Sequence, residues 1–180
     1  MKKELNLVIV NYKYCDYLRN YDNRVPFNFD KKKKRPFIGV LFEINKCLYF
    51  APLTSPKPKH LIMKNTLDFY RLDNGKLGAI NFNNMIPVKL NNIEIININK
   101  IDDKQYNSLL KEQYRYLIRN QDDVFKLSKR LYTLYVKGRL GEKIIKRCCN
   151  FPLLEEKCIE YINSNNNKKS ITCKKNKTIV

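Results

Sequence analysis

The stretch that decides the fold is Lys46–His60, KCLYFAPLTSPKPKH, in which an apolar strand leads directly into polar side chains. Its first part, CLYFA, favours a β-strand and shows no helical period. Pro52 and Pro56 remove backbone donors, which predicts that the strand ends near Leu53. Hydroxyl, ammonium and imidazole groups then follow within seven residues, at Thr54, Ser55, Lys57, Lys59 and His60. These groups donate hydrogen bonds and carry positive charge, so the stretch predicts a phosphate-handling site at a strand end.

Short predicted strands lie on both sides of this stretch. The segment Phe37–Ile44 predicts a strand that pairs with Cys47–Leu53 through a tight turn at Asn45 and Lys46. Asn11 predicts the cap of a short helix near the N-terminus. Further strands are predicted over Leu5–Val10, Leu67–Leu72, Leu77–Phe82, Met85–Val88 and Ile93–Ile98. Strands this short and this numerous predict a compact, twisted antiparallel barrel.

The hydrophobic period becomes helical in the last third of the chain. One helix is predicted to follow Asp103, a second to end at Gly138, and a third to begin at Pro152. The pattern therefore predicts an α+β fold in which helices cover the barrel. A single domain is expected over residues 1–162, followed by a basic and flexible tail over residues 163–180.

Basic residues greatly outnumber acidic residues in this chain. Its 180 residues include 36 lysines and arginines against 17 aspartates and glutamates, a net charge of +19. Such a charge repels itself in a compact fold, which indicates a polyanionic partner, and nucleic acid is the obvious one. A ribosomal or packaging protein would carry a similar charge, so charge alone does not indicate catalysis.

Two groups of basic residues are predicted to contact RNA. The first is an unbroken run immediately before the Phe37 strand: Lys31, Lys32, Lys33, Lys34 and Arg35. The second is the helical face that carries Lys104, Lys111, Arg115 and Arg119. Their side chains suit contacts along a phosphate backbone, although a solvated amphipathic surface would have the same pattern.

The cysteines and acidic residues do not predict a metal site. Six cysteines are scattered without paired spacing, which favours free thiols and a reduced, cytoplasmic protein. No apolar run is long enough for a membrane span. The acidic pairs are sequence neighbours, whose side chains diverge on a helix, and no histidine lies close to them. We therefore expect no metal and no other cofactor.

Four sequence blocks carry a resemblance to a known family. They are RPFIGVLFEI (Arg35–Ile44), YFAPLTSPKPKH (Tyr49–His60), LGAINFNNMIPV (Leu77–Val88) and CNFPLLEEK (Cys149–Lys157). With these four blocks in this order and spacing, the chain resembles the ToxN/AbiQ family. Its members are the endoribonuclease toxins of type III toxin–antitoxin systems, in which the antitoxin is an RNA. The resemblance implies an antiparallel barrel related to the MazF/Kid toxins, with added helices, and RNA cleavage without metal.

The resemblance also implies the partners. Tandem pseudoknot repeats of the antitoxin RNA would inhibit the toxin by occupying its active-site groove. Cellular or phage RNA would be the substrate, and cleavage would give abortive infection of phage-infected cells. A closed assembly of alternating protein and RNA is a further expectation from the family.

The same resemblance assigns site residues. The family places its catalytic hydroxyls and lysine at Thr54, Ser55 and Lys57. Arg35 stands where a family lysine contributes to the active site. Because a guanidinium does not deprotonate at neutral pH, Arg35 favours phosphate binding over base catalysis, and Lys34 could take over the role of the lysine. Tyr14 is expected on the active-site side.

The chemistry expected at this site is attack of an RNA 2′-hydroxyl on the adjacent phosphorus. Lys57 and Arg35 would supply positive charge, while Ser55 would position the phosphate rather than act as a covalent nucleophile. His60 is either a general acid or base or a solvated residue that orients a phosphate. The alternative function is a non-catalytic basic RNA-binding protein whose TSPKPKH segment only clamps phosphates, and a metal-dependent DNA nuclease is a third class.

Overall fold

The structure, a computed structural model, describes residues 5–28 and 35–161. Within them the chain forms eight strands: β1 Asn6–Val10, β2 Pro36–Gly39, β3 Glu43–Ile44, β4 Cys47–Thr54, β5 Phe69–Arg71, β6 Ala79–Asn81, β7 Ile86–Val88 and β8 Ile93–Ile95. All strand pairs are antiparallel. The sheet has the order β5-β6-β4-β2-β1-β8, and β3 and β7 also pair with β4.

Strand β4 is the centre of this sheet. Its first half pairs with β3 and β7, and its second half pairs with β2 and β6. The tight turn at Asn45 and Lys46 is confirmed, with φ of 51° and 63° at these two residues, as a two-residue hairpin favours. The prediction of a single strand over Phe37–Ile44 is wrong. This segment forms two strands, β2 and β3, which pair with different parts of β4.

In the described part of the chain, six α-helices accompany the sheet: α1 Tyr12–Arg19, α2 Pro58–Ile62, α3 Lys104–Arg119, α4 Gln121–Val136, α5 Glu142–Ile145 and α6, residues 151–161. The predicted cap of α1 is confirmed, because the backbone N–H of Lys13 donates to Asn11 Oδ1 at 2.9 Å. Asp103 caps α3 in the same way. The sequence did not predict the short helices α2 and α5.

A buried carboxylate connects the helices to the centre of the sheet. Glu155 on α6 accepts hydrogen bonds from the hydroxyl of Tyr49 on β4 at 2.6 Å and from that of Tyr132 on α4 at 2.8 Å. Phe151 and Leu154 of α6 belong to the same hydrophobic core as the strands. These contacts hold β4 against the helical layer.

The α+β fold with C-terminal helices is confirmed, but a closed barrel is not. Closure would require the terminal strands β5 and β8 to pair, whereas within the described residues β5 pairs only with β6 and β8 only with β1. The eight strands therefore form an open sheet. The predicted tail, residues 163–180, lies outside the described residues. In the described part of the chain, no helix has both the length and the apolar character needed to cross a membrane.

Candidate functional site

The end of β4 brings the TSPK segment, Thr54–Lys57, to the edge of the sheet that is formed by strand ends rather than by an outer strand. Leu53 is buried, Thr54 is half-buried and Ser55 is exposed, so the chain passes from the core to solvent over three residues. Thr54 pairs with Ala79 of β6, and its Oγ1 donates a hydrogen bond to the Ala79 carbonyl oxygen at 3.2 Å. The predicted end of this strand is therefore confirmed to within one residue.

Arg35 lies at the same edge because of the register between β2 and β4. Phe37 pairs with Pro52, and extending this register by two residues brings Arg35 opposite Thr54. Asn28 anchors this part of the chain: Arg35 N donates to Asn28 Oδ1 at 2.9 Å. Asn28 Nδ2 in turn donates to the Val10 carbonyl oxygen at 2.7 Å. Arg35 has an exposed surface at this edge, although partial burial of its guanidinium lowers its pKa from the usual value.

The residues that follow form the short helix α2. Lys57 is its N-cap residue and Pro58 occupies its first turn, a position where a missing backbone N–H has no cost. The side chains of Lys57 and Lys59 are exposed. Ser55, Lys57 and Lys59 therefore present a hydroxyl and two ammonium groups to solvent where β4 ends.

His60 is placed differently from its predicted role. Its imidazole is only 2% exposed and packs against the Phe69 ring at a centroid distance of 5.8 Å. Burial, and then the charges of Lys59 and Lys57, lower the pKa of His60 from its usual value. The ring is therefore enclosed by protein, and its surroundings favour the neutral form. This placement does not suit a solvated residue or direct contact with a phosphate.

Two residues that sequence reasoning missed hold α2 in place. Arg71 Nη1 donates to the carbonyl oxygens of His60, Leu61 and Asn74 at 3.3, 3.2 and 3.3 Å. Gly75, with φ of 94°, packs so closely that an added Cβ would lie 2.2 Å from the His60 carbonyl oxygen. The sequence shows the turn around Gly75 but not its contact with α2, because the two segments meet only in the tertiary structure.

The other predicted RNA contacts are spread over the molecule. Arg115 and Arg119 are exposed on α3. Lys111 is half-buried and lines a pocket of about 570 Å³ between α3 and the β1–β8 side of the sheet, together with Tyr114 and Ile95. The run Lys31, Lys32, Lys33 and Lys34 lies outside the described residues.

The prediction that Tyr14 contacts RNA requires a correction. Its side chain is fully buried, and its hydroxyl donates to the Pro87 carbonyl oxygen at 2.7 Å. Its ring packs edge-on against Tyr161 at 5.0 Å. Tyr14 is therefore a core residue that joins α1 to the sheet and to α6, and we leave it out of the candidate site.

Cysteine and carboxylate side chains do not gather at this edge. The five cysteines within the described residues are free and buried. Across residues 5–28 and 35–161, no group of three or more histidine, cysteine, aspartate or glutamate side chains is arranged to hold a metal ion. The chemistry available at the edge is that of hydroxyl, ammonium and guanidinium groups.

Comparison with known proteins gives consistent matches over almost all of the described chain. The Endoribonuclease ToxN of Bacillus thuringiensis subsp. kurstaki is 37% identical over 158 residues, covering 84% of this chain and 81% of that protein. The Endoribonuclease ToxN of Pectobacterium atrosepticum is 33% identical over 160 residues, covering 84% of this chain and 91% of that protein.

Solved structures agree with these sequence matches. One, from a study of selective toxin inhibition by a non-coding RNA pseudoknot in type III toxin–antitoxin systems, has 36% identity and a TM-score of 0.76, covering 88% of this chain and 98% of that chain. The structure of AbiQ, a lactococcal anti-phage endoribonuclease, has 24% identity and a TM-score of 0.77, covering 89% and 99%, and shows a shared fold.

A sequence model of the family described as "Toxin ToxN, type III toxin-antitoxin system" matches residues 6–159. This range includes all strands of the sheet and nearly all of α6. It also includes the edge that carries Arg35, Thr54, Ser55 and Lys57. The chain therefore belongs to the ToxN toxin family of type III toxin–antitoxin systems.

Proposed function

We propose that this protein is a sequence-selective endoribonuclease toxin that an antitoxin RNA with tandem pseudoknot repeats holds inactive. The observation that supports the proposal is that Thr54, Ser55 and Lys57 lie at the end of β4, while Arg35 immediately precedes the neighbouring strand β2. Two positively charged groups and two hydroxyl groups on these neighbouring segments suit a phosphodiester of RNA. Family membership and the two relatives named Endoribonuclease ToxN support the same function.

The reaction that suits these groups is cleavage by the RNA's own 2′-hydroxyl. Its oxygen forms a bond to the adjacent phosphorus while the bond from phosphorus to the 5′ oxygen breaks. A 2′,3′-cyclic phosphate and a 5′-hydroxyl result. Negative charge grows on the non-bridging oxygens in the transition state, where Arg35 and Lys57 would stabilise it and the Ser55 hydroxyl would donate a hydrogen bond.

Proton transfer is the demanding step for this set of residues. One proton must leave the 2′-hydroxyl and one must reach the departing 5′ oxygen. Arg35 stays charged and His60 is buried, so Lys57 is the described edge residue best suited to exchange a proton with the substrate. A slow enzyme would result, which is compatible with a toxin that acts on selected RNA sites.

The alternative function is a basic protein that binds RNA without cutting it. The same charges and hydroxyls would then clamp phosphates, and the toxin family would be represented by a member without activity. The two functions differ in one direct observation, namely whether a bound RNA is cleaved by the purified chain.

The test is to incubate purified protein, stripped of RNA at high salt, with a pool of labelled single-stranded RNAs in excess EDTA. We expect cleavage whose 3′ fragments accept phosphate from polynucleotide kinase without prior phosphatase treatment, because they begin with a 5′-hydroxyl. The Ser55→Ala protein, purified in parallel, controls for contaminating ribonuclease.

Each other outcome would overturn part of the proposal. Fragments with 5′-phosphate, or cleavage abolished by EDTA, would contradict the metal-independent cyclising mechanism. Tight RNA binding without cleavage of any pool member would favour the non-catalytic alternative.

A further inference from the structure

A buried amide lies on the otherwise apolar inner face of α3. Gln113 is 2% exposed and lies between Leu110 and Leu117, which are both fully buried. A buried amide is tolerated only where its donors and acceptors find partners. The partners of Gln113 therefore indicate why the helix carries a polar residue at this position.

The Gln113 side chain reaches the end of β4. Its Nε2 donates to the Leu77 carbonyl oxygen at 2.7 Å, and more weakly to the Thr54 carbonyl oxygen at 3.4 Å. Because both partners are carbonyl oxygens, the amide nitrogen must face them. Gly78, with φ of 92°, packs so tightly that an added Cβ would lie 2.0 Å from the Thr54 carbonyl oxygen. Gln113 thus braces the Leu77–Gly78 backbone against Thr54.

This contact determines where the next peptide N–H points. In a trans peptide the carbonyl of one residue and the N–H of the next point in opposite directions. The Thr54 carbonyl faces Gln113 and β6, so the Ser55 N–H faces the β2 side of the strand, where Arg35 lies. The Ser55 Cα belongs to the same peptide unit, so the same contact also fixes the point from which the Ser55 side chain extends.

We propose that Gln113 is a positioning residue of the endoribonuclease reaction, which fixes the Thr54–Ser55 peptide so that the Ser55 N–H and hydroxyl both meet the scissile phosphate. The inference rests on the proposed function. It adds a backbone donor to the site and connects α3, which also carries Arg115 and Arg119, to the reacting group. Charge growing on a non-bridging oxygen is stabilised by a donor that is already in place.

The test compares Gln113→Leu and Gln113→Glu with Leu110→Ala, a core control on the same helix face. Leucine removes the amide, and glutamate keeps its shape but replaces the N–H donor by oxygen. Because small displacements at a reacting centre cost up to about 100-fold, we expect both Gln113 variants to lower kcat by roughly 10-fold to 100-fold. We expect KM for RNA to change little. Leu110→Ala should lower the melting temperature while its folded protein keeps kcat.

A phosphorothioate measurement separates positioning from general destabilisation. Sulfur in place of one non-bridging oxygen of the scissile phosphate accepts hydrogen bonds poorly, so the wild type should be slowed with one diastereomer. The Gln113 variants should lose most of this slowing, because the donor has already been displaced. If the Gln113 variants have a kcat within twofold of the wild type, or show the same thio effect as the wild type, the inference is overturned. If the wild-type protein itself does not cleave RNA, the proposed function is overturned instead.

Discussion

At the scale of single residues, the proposed site divides phosphate binding from proton exchange. Arg35 immediately precedes one strand, while Ser55 and Lys57 follow the end of its neighbour. A guanidinium offers a planar set of donors and a permanent charge, whereas an ammonium can give up a proton. We therefore assign phosphate binding to Arg35 and leave proton exchange to Lys57.

We predict that Ser55→Ala and Lys57→Ala each abolish growth inhibition without unfolding the protein. Both side chains are exposed beyond the end of β4, so their removal leaves the core intact. Cleavage should fall by about 100-fold or more, the usual cost of removing a donor that stabilises the transition state. Lys137→Ala removes an exposed lysine outside the site and should retain activity. Full toxicity of both site variants would contradict the assignment.

Arg35 is expected to act on binding as well as on turnover. Because hydrogen bonds to charged groups contribute about 1.5–3 kcal/mol, Arg35→Ala should weaken RNA binding by about tenfold or more. Arg35→Lys keeps the charge but not the planar, forked set of donors. Its affinity for RNA should therefore lie between those of the wild type and Arg35→Ala. Fluorescence anisotropy with a non-cleavable, 2′-deoxy-substituted RNA measures this directly. An unchanged dissociation constant for Arg35→Ala would place the residue outside the RNA site.

At the scale of elements, the position of α2 depends on the turn that packs against it. This helix has only five residues, so neighbouring contacts rather than its own hydrogen bonds must hold it. Arg71 bonds to the carbonyls at its end, and Gly75 allows the turn to approach the His60 carbonyl. The exposed lysines of the site therefore depend on a contact made on the other side of the helix.

Gly75→Ala should disturb both stability and cleavage. The added Cβ would need the space of the His60 carbonyl oxygen, at a backbone φ that already favours glycine. Gly138→Ala is the matched control, because it has φ of 63° and no atom within 4 Å of an added Cβ. The free energy of unfolding of this control should fall by only about 1–2 kcal/mol, which is the cost of a left-handed backbone for an L-residue, and its activity should be kept. Equal activity in the two variants would show that α2 is held by other contacts.

At the scale of the whole molecule, charge dominates the behaviour of the protein. A net charge of +19 on 180 residues favours association with a polyanion. Arg115 and Arg119 on α3 and Lys59 on α2 place exposed positive charges on separate elements. An antitoxin RNA could therefore cover the candidate site and contact α3 at the same time.

We predict that RNA copurifies with the protein at low salt and is released as the salt concentration rises. If the RNA contacts six to ten phosphates, affinity should fall by about 10³–10⁵ between 50 and 200 mM salt through counterion release. Nuclease protection of the native complex should show that the bound RNA excludes substrate. Protein isolated without RNA, or a bound RNA that leaves the TSPK segment open to substrate, would contradict inhibition by occlusion.

The sequence by itself determined the features that depend on neighbouring residues. The end of β4 follows from Pro56, although the strand itself runs through Pro52. The hairpin turn follows from Asn45 and Lys46, and the start of α1 from Asn11. Backbone freedom, missing donors and capping side chains act over a few residues, so they can be predicted from sequence. Family membership was also readable, because four sequence blocks retain their order.

Only the tertiary structure decided which side chains face the site. Tyr14 and His60 are polar aromatic residues that could lie on the surface, yet long-range packing buries both. Gln113 on α3 meets Thr54 across 59 residues of sequence, and no local pattern connects them. The open sheet likewise depends on which strands pair at its ends. Contacts between distant segments are set by the balance of burial and hydrogen bonding over the whole fold, which local preferences do not determine.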